Sequence, residues 1–401
     1  MPAPNETPLL PMRLLILTDR FPPQDRGGAE RIAYYQAKSF QEAGWEVGVV
    51  TGVHHDRRLE TYEDGGLVRF PGYTFPRTGA GERLQTAIGA VYNPTAISAV
   101  KHAVASFKPN VIHAHMVSAI SLAAVTQFSK EYPTIITFHG YQFECPKGGL
   151  YRKRGEVCAT KPALCRLYSL YNRQMLSQVH RIVAISRFIE TRLIEAGFDK
   201  NRVIYLPNGV PGLEDRRVEQ LPSSHSILYV GRLSQNKGVA GLIGAFRTLA
   251  DDSATLTIIG DDPGRSQLET LATGDSRIRF TGWLSHEAVQ EYYRASRVVV
   301  VPSLWHEVMN TVICEAQSWA RVVIASDIGG NRDLIEDNVS GILYPPGDQL
   351  ALASALSRLF EDEAEAQRLA SNGHDHVKQF SMSRHQAALL SLYGGALNEF
   401  Q

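Results

Sequence analysis

The sequence predicts an α/β protein made of two doubly wound, Rossmann-like domains. Three observations point there: a strand-loop-helix-strand order that repeats through the first half, a polar stretch after it that carries three prolines, and a restart of the same order beyond. A length of 401 residues, at roughly 150 residues per domain, excludes a single small binding module.

The first apolar run, 13–19, ends in Thr18 and Asp19 and reads as a strand. A loop with Pro22, Pro23, Gly27 and Gly28 follows, then a helical pattern over 29–43 and a strand at 46–51. The same unit recurs as strand 110–115, helix 117–130 and strand 134–139. Residues 207–226 are polar and aperiodic, which sets a linker at 211–224 between a first domain at 12–210 and a second at 225–382. In the second domain strands are predicted at 227–230, 255–259, 278–281, 298–301 and 322–325, with helices from 239, over 286–295 and over 311–320. Residues 350–401 read as helical with a break near Gly373, and 1–11 as a flexible extension. Ligands of such sheets sit beyond the carboxyl ends of the strands, so the expected site is a central cleft that both sheets face.

Composition narrows the function classes. The chain is 44% hydrophobic and 20% charged, with 41 basic and 41 acidic residues, which excludes global disorder and argues against a nucleic-acid partner. The halves differ: residues 1–210 hold 25 Lys and Arg against 17 Asp and Glu, and the remainder is acidic by the same margin, so the first half is suited to something anionic. No run of 18 apolar residues occurs, and the first eleven residues lack the pattern of a signal peptide, so a cytoplasmic location is expected. Four cysteines in this length make no disulfide framework.

The strongest chemical constellation is PSLWHEVMNTVICEA at 302–316, where Glu307 sits in a loop after an apolar strand and Glu315 lies in the helix that follows. A loop carboxylate is thereby set beside a helix N-terminus whose unpaired N–H groups suit a phosphate or a sugar oxygen. The second is ILYVGRLSQNKGV at 227–239, a strand running into Gly231 and Arg232, with Lys237 and Gly238 at a helix entrance. A planar fork of donors and a point charge five residues apart suit a diphosphate. The third is PPQDRGGAER at 22–31, in which Gly27 and Gly28 precede a helix and let backbone approach a phosphate; its glycine spacing is neither GxGxxG nor a Walker loop.

Together with VIHAHM at 111–116, TFHG at 137–140, AISRF, YLPNGV, IIGDDPG, FTGWL, SDIGGNRDLI and GILYPPGD, these motifs make nearly the whole chain resemble a family 4 retaining glycosyltransferase of the GT-B fold. The resemblance implies that Arg232 and Lys237 neutralise a departing nucleotide diphosphate, Glu307 holds donor-sugar hydroxyls, Glu315 binds the ribose and His139 lies at the sugar. It also implies that backbone at Met309, Asn310 and Thr311 meets phosphate or sugar oxygens, that Gly282, Trp283 and Leu284 face the nucleobase through main chain, and that a terminal helix at 383–401 packs back on the first, acceptor-binding domain. Two departures bear on the sugar pocket: Val308 to Thr311 replace the usual Phe-Gly or Phe-Pro, and Asn331, Arg332 and Asp333 stand where relatives carry Pro-Glu.

Preorganised cations at a leaving diphosphate make a metal unnecessary, and no Asp-x-Asp stands at a strand end, so no metal and no cofactor are expected. Glu361, Asp362 and Glu363 read as a solvated charge run. His113 and His115 share one face of a strand, but two ligands make no metal site without partners, and a structural role is the reading for both. His374 and His376 read as helix-to-loop residues.

Cys145, Cys158 and Cys165 lie in an insert whose spacing fits structural thiols, a zinc site completed from outside, or one disulfide. The same insert holds Lys147, Arg152, Lys153 and Arg154 around Leu150 and Tyr151, which suits an acceptor or an anionic membrane surface as well as plain solvent.

The function expected is transfer of a hexose from a UDP- or GDP-sugar to a glycan, lipid-linked or small-molecule acceptor, by a metal-independent front-face route with retained configuration. A GT-B phosphorylase, an epimerase, or a non-catalytic donor-binding subunit of a glycan assembly complex are the alternatives.

Overall fold

The computed structural model describes residues 12–22, 28–53, 62–64, 66–74, 89, 91–115, 119–146, 148–150, 158, 161–213, 216 and 220–400. They divide into two compact units, one built from residues up to Gly209 and from Met382 onward, the other from Val210–Ser381.

In the first unit, strands β1 (Arg13–Thr18), β2 (Glu46–Val53), β3 (Tyr62–Asp64), β4 (Leu67–Thr74), β5 (Val111–His115), β6 (Thr134–Phe138), β7 (Arg181–Ala184) and β8 (Val203–Tyr205) form a sheet of order β3-β4-β2-β1-β5-β6-β7-β8. All described pairings are parallel except the antiparallel β3–β4 pair. Leu14 to Leu17 of the central β1 are wholly buried because helices cover both sheet faces, as a parallel sheet requires. Helix α1 (Gly28–Glu42) returns the chain after β1, and α2 (Pro94–Phe107) starts at an Asn93 cap with proline at its first turn.

The helix predicted over 117–130 is far shorter: among the described residues α3 runs only Leu122–Thr126. Ser121, at φ 64°, caps it, and Thr126 Oγ1 turns back to donate to the Leu122 carbonyl, after which Ser129 and Glu131 bond three residues back and tighten into turns. Helices α4 (Ala163–Leu176) and α5 (Arg187–Glu195) complete this run.

The second unit holds β9 (Ser226–Val230), β10 (Thr255–Ile259), β11 (Ile278–Gly282), β12 (Val298–Val301), β13 (Val322–Ser326) and β14 (Ile342–Tyr344), a parallel sheet of order β11-β10-β9-β12-β13-β14. Helices α6 (Val239–Arg247), α7 (Arg265–Ala272), α8 (His286–Ala295), α9 (Thr311–Ser318), α10 (Asn331–Leu334), α11 (Gln349–Glu361) and α12 (Glu363–Val377) cover it. Two apolar clusters lie on its two faces, one gathered by Phe246, Leu356 and Leu369, the other by Tyr293, Ile313 and Phe380.

No break occurs at Gly373, which lies inside α12; a Cβ there would come within 2.9 Å of the Ser340 carbonyl, so this glycine serves close packing. The interruptions fall at Asp362, which caps α12 through the Glu365 N–H, and at 378–381. The 361–363 run is thus more than solvated charge: Glu363 also meets the buried Arg297 guanidinium at 2.6 Å. His374 and His376 lie within the last turn of α12, not in a loop, and His374 donates from Nδ1 to the Ser318 carbonyl.

Helix α13 (Met382–Phe400) belongs to the first unit. Leu389, Tyr393 and Ala396 join Leu14, Phe40 and Val47 in its core, and Gln386 donates to the Ser39 carbonyl.

Candidate active site

In the second sheet the connection direction reverses between β9 and β12, the topological switch point where ligands of doubly wound sheets settle. The loops after both strands carry most of the polar residues singled out from the sequence. Beyond β9 come Gly231, the exposed Arg232 and a 3₁₀ turn, Gln235–Lys237. Beyond β12 come Ser303 and the buried Glu307.

These loops interlock. Lys237 Nζ donates to Glu307 Oε1 at 2.6 Å, and Ser303 Oγ donates to the same oxygen at 2.5 Å. Glu307 Oε2 makes no hydrogen bond among the described residues. The Gly330 N–H holds the Glu307 carbonyl at 2.7 Å, and Tyr229 donates to the Arg232 carbonyl at 2.6 Å. Burial, with the Glu307 charge second, keeps the Tyr229 hydroxyl far above its ordinary range, so it acts as a donor.

Backbone approach here leaves no room for side chains. A Cβ on Gly238 (φ 72°) would stand 1.8 Å from the Pro302 carbonyl, and one on Gly260 (φ 146°) 1.8 Å from that of Gly231.

Asn310 caps α9 by accepting the Val312 N–H at 3.2 Å, which aims the N-terminus of that helix beyond the sheet edge. Met309 packs into the apolar cluster beneath, and Thr311 is the first helical residue. Glu315 lies on α9 beside Tyr293 and Arg216: burial first and then the Glu315 charge hold the Tyr293 hydroxyl well above its ordinary range, while burial lowers Arg216 against the opposing pull of Glu315. Arg216 itself stacks on the Trp319 ring at 4.6 Å. At the end of β11, Gly282 (φ 79°) gives its carbonyl to the Gly260 N–H, Trp283 is 74% exposed and Leu284 packs inward. Asn331 is buried and donates to the Ser326 carbonyl, while Arg332 pairs with Asp327, so this departure from the family pattern builds the loop that holds Glu307.

In the first unit three histidine rings line up at the ends of β5 and β6. His113 stacks on His115 with centroids 4.3 Å apart, and His115 on His139 at 5.2 Å. His115 Nδ1 and His139 Nε2 share one hydrogen at 2.9 Å. His113 is spanned by Tyr393, Gln36 and Thr137 at 2.6, 2.9 and 2.7 Å. Burial, reinforced by the other histidines, holds all three neutral, with His139 lowered to about 3. Nδ1 of His139 has no partner among the described residues.

Gly27, Lys147, Arg152, Lys153 and Arg154 lie outside the described residues; Gly28 opens α1. Cys145 is buried, and Cys158 and Cys165 are half-buried.

The family model described as glycosyl transferases group 1 matches residues 224–362, and that described as glycosyl transferase 4-like domain matches residues 27–209. An alpha-D-kanosaminyltransferase of Streptomyces kanamyceticus is 36% identical over 166 residues, a match spanning 40% of this chain and 41% of that enzyme's length. A phosphatidyl-myo-inositol mannosyltransferase of Mycobacterium leprae is 24% identical over 376 residues, 92% of each chain. Sucrose-phosphate synthase from Thermosynechococcus elongatus superposes with a TM-score of 0.78 at 21% identity, over 97% of this chain and 100% of its own. The chain belongs to the family 4 glycosyltransferases. Its two parallel-stranded units are those of the GT-B fold.

Several groups in this glycosyltransferase carry no sequence signal of their own. Ser303 and Tyr229 hold Glu307 and Arg232 from within the same strand-to-loop segments, and the Gly330 N–H holds Glu307 from a distant loop. Asp19, at the end of β1, accepts the N–H groups of Ala119 and Ile120 at 2.9 and 3.0 Å; its place at a strand end was the only available signal.

Proposed function

We propose that this family 4 glycosyltransferase moves a hexose from a UDP- or GDP-sugar to an acceptor hydroxyl, with retention at the anomeric carbon, and that the second unit takes the donor. What carries this assignment is the switch-point cluster: an exposed Arg232 outside any ion pair among the described residues, beside the Lys237–Glu307 pair. A non-catalytic sugar-binding subunit has no use for two cations at a leaving diphosphate.

Breaking the bond between C1 and the diphosphate oxygen puts negative charge on the phosphate and positive charge on the sugar ring. Arg232 offers a planar fork and Lys237 a point charge to that phosphate, and fixed cations in a partly dry site are the largest single contribution to the rate. Glu307 Oε1 is filled by Lys237 and Ser303, so Oε2 is the oxygen offered to a sugar hydroxyl. The acceptor oxygen bonds to C1 on the face the diphosphate leaves, and its proton passes to the departing phosphate oxygen. Backbone N–H groups at 309–311 receive phosphate or sugar oxygens, Glu315 the ribose, and main chain at 282–284 the base. His139, neutral and with an open Nδ1, suits a hydroxyl rather than a phosphate.

The acceptor is a glycan, a lipid-linked sugar or a small molecule; a relative named for mannosyl transfer to phosphatidyl-myo-inositol supports a lipid-linked one. No helix of the described residues is long and apolar enough to cross a membrane. The location we propose is the cytoplasm and the inner face of its membrane.

The test is thermal shift and slow hydrolysis of UDP-, GDP- and ADP-sugars in EDTA, with wild type and Lys237→Ala in parallel. One donor should stabilise and be cleaved by the wild type alone, and NMR of a glycosylated product should show the donor's anomeric configuration. Donor cleavage by Lys237→Ala at the wild-type rate sinks the assignment.

A further inference from the structure

Helix α4 carries an apolar stripe that its own domain leaves uncovered. Leu164, Leu167 and Leu170 recur along one side and are 81%, 64% and 51% exposed. The opposite, buried side carries Leu176 together with Ser169 and Asn172, and Asn172 donates inward to the carbonyls of Gln142 and Phe143 at 3.0 and 3.2 Å. Three large apolar side chains are therefore held in water while an amide is spent on the interior, which costs stability unless something covers the leucines.

The charge around this face says what covers it. Arg166 and Arg173, two turns apart on its flank, are exposed and in no ion pair among the described residues. Residues 161–180, which form and flank this helix, contain Lys161, Arg166 and Arg173 and no Asp or Glu. The nearby Glu144 is buried and already neutralised by Arg192 and Lys161. A second copy of the same face would oppose arginine to arginine, a like-charge contact that disfavours self-association. An anionic bilayer answers both features: leucines enter the acyl boundary and arginines reach back to lipid phosphates.

We propose that α4 is a membrane-docking helix that lies in the plane of an anionic bilayer, with Leu164, Leu167 and Leu170 inserted and Arg166 and Arg173 on the headgroups. This surface lies in the first unit and is independent of the donor chemistry assigned to the second.

Co-sedimentation of the full chain with vesicles of equimolar phosphatidylglycerol and phosphatidylcholine, against vesicles of phosphatidylcholine alone, tests it. Wild type should bind the anionic vesicles, release in high salt and leave neutral vesicles alone. Leu164→Ser/Leu167→Ser/Leu170→Ser and Arg166→Glu/Arg173→Glu should each weaken binding about tenfold or more, and Arg166→Lys/Arg173→Lys should retain most of it. The altered side chains are exposed, so circular dichroism, melting temperature and the donor-induced thermal shift should be unchanged, which separates this result from any failure of the donor assignment. Absence of wild-type binding at low salt, or equal binding by the serine variant, overturns the proposal. So does a wild-type dimer by light scattering that the serine variant abolishes, since the occupant would then be a second copy.

Discussion

Lys237 and Glu307 are bonded to each other across 70 positions of chain, at 2.6 Å, in the loops that follow the two central strands of the second sheet. Each therefore positions the other: the carboxylate aims the ammonium, and the ammonium leaves one carboxylate oxygen for a ligand. Replacing either strands a charge in a partly dry site. Lys237→Ala and Glu307→Gln are each expected to lower kcat by about 10²–10³-fold, and the double variant by much less than the product of the two. Steady-state kinetics on the four-member cycle measures this; multiplicative losses would mean that the two act separately.

Ser303→Ala tests the finer point that Oε1 is a structural oxygen. It should reduce turnover by about tenfold or less, because Lys237 still holds that oxygen, and it should leave the melting temperature within a few degrees of wild type. A loss as deep as that of Glu307→Gln would show that Ser303 meets the ligand directly.

Gly238→Ala and Gly260→Ala place a methyl group 1.8 Å from a backbone carbonyl at positive φ. Neither carbonyl can swing aside as a side chain does. A destabilisation of about 3 kcal/mol or more is expected for each, with loss of donor-induced thermal shift. Gly44, also at positive φ but with open space around its Cβ, is the control and should cost only about 1 kcal/mol as alanine.

Acid should unfold the first unit early. His113, His115, His139 and His385 are buried and held neutral; burial lowers His139 to about 3 and His385 to about 4, from the ordinary 6.5. A group depressed in this way binds its proton more readily when unfolded. Its contribution is complete above pH 6.5 and is lost as pH falls from there toward the folded values, by about 1.4 kcal/mol per pH unit per histidine. Urea midpoints at pH 7, 6 and 5 should fall progressively, and His385→Gln should flatten the slope by one proton. Equal midpoints at pH 7 and 5 would contradict the neutral-histidine core.

How far all this is legible beforehand depends on the range of the interaction. Most second-unit strands announce themselves, since each is an apolar run closed by glycine or a polar residue, and with them the loop positions of Arg232, Lys237 and Glu307. The two-domain α/β fold follows from that rhythm. Short edge strands such as Tyr62–Asp64 and Ile342–Tyr344 give too few residues for a period to register. Helix 117–130 misleads because Thr126 has the pattern of a helix interior while its hydroxyl competes for the helix's own carbonyl. Gly373 misleads in the other direction: glycine marks both a stop and a tight contact, and only the Ser340 backbone shows which. The contacts that orient functional groups, His115 with His139 and Lys237 with Glu307, join separate elements and leave no spacing to read.

The hydroxyl of Tyr393 bonds His113 and the amide of Gln36, and its ring packs on Phe40, so the segment from Met382 to Gln401 supplies one side of a core whose other sides were synthesised some 200 to 350 residues earlier. During translation the second unit has all its strands before the first has its last helix. The first unit must then wait, its Phe40 and Val47 without Leu389 and Tyr393, until the residues past Ser381 have emerged. A stop codon or protease cut just after Ser381 would spare the sheet with the donor loops and ruin the one that was made first.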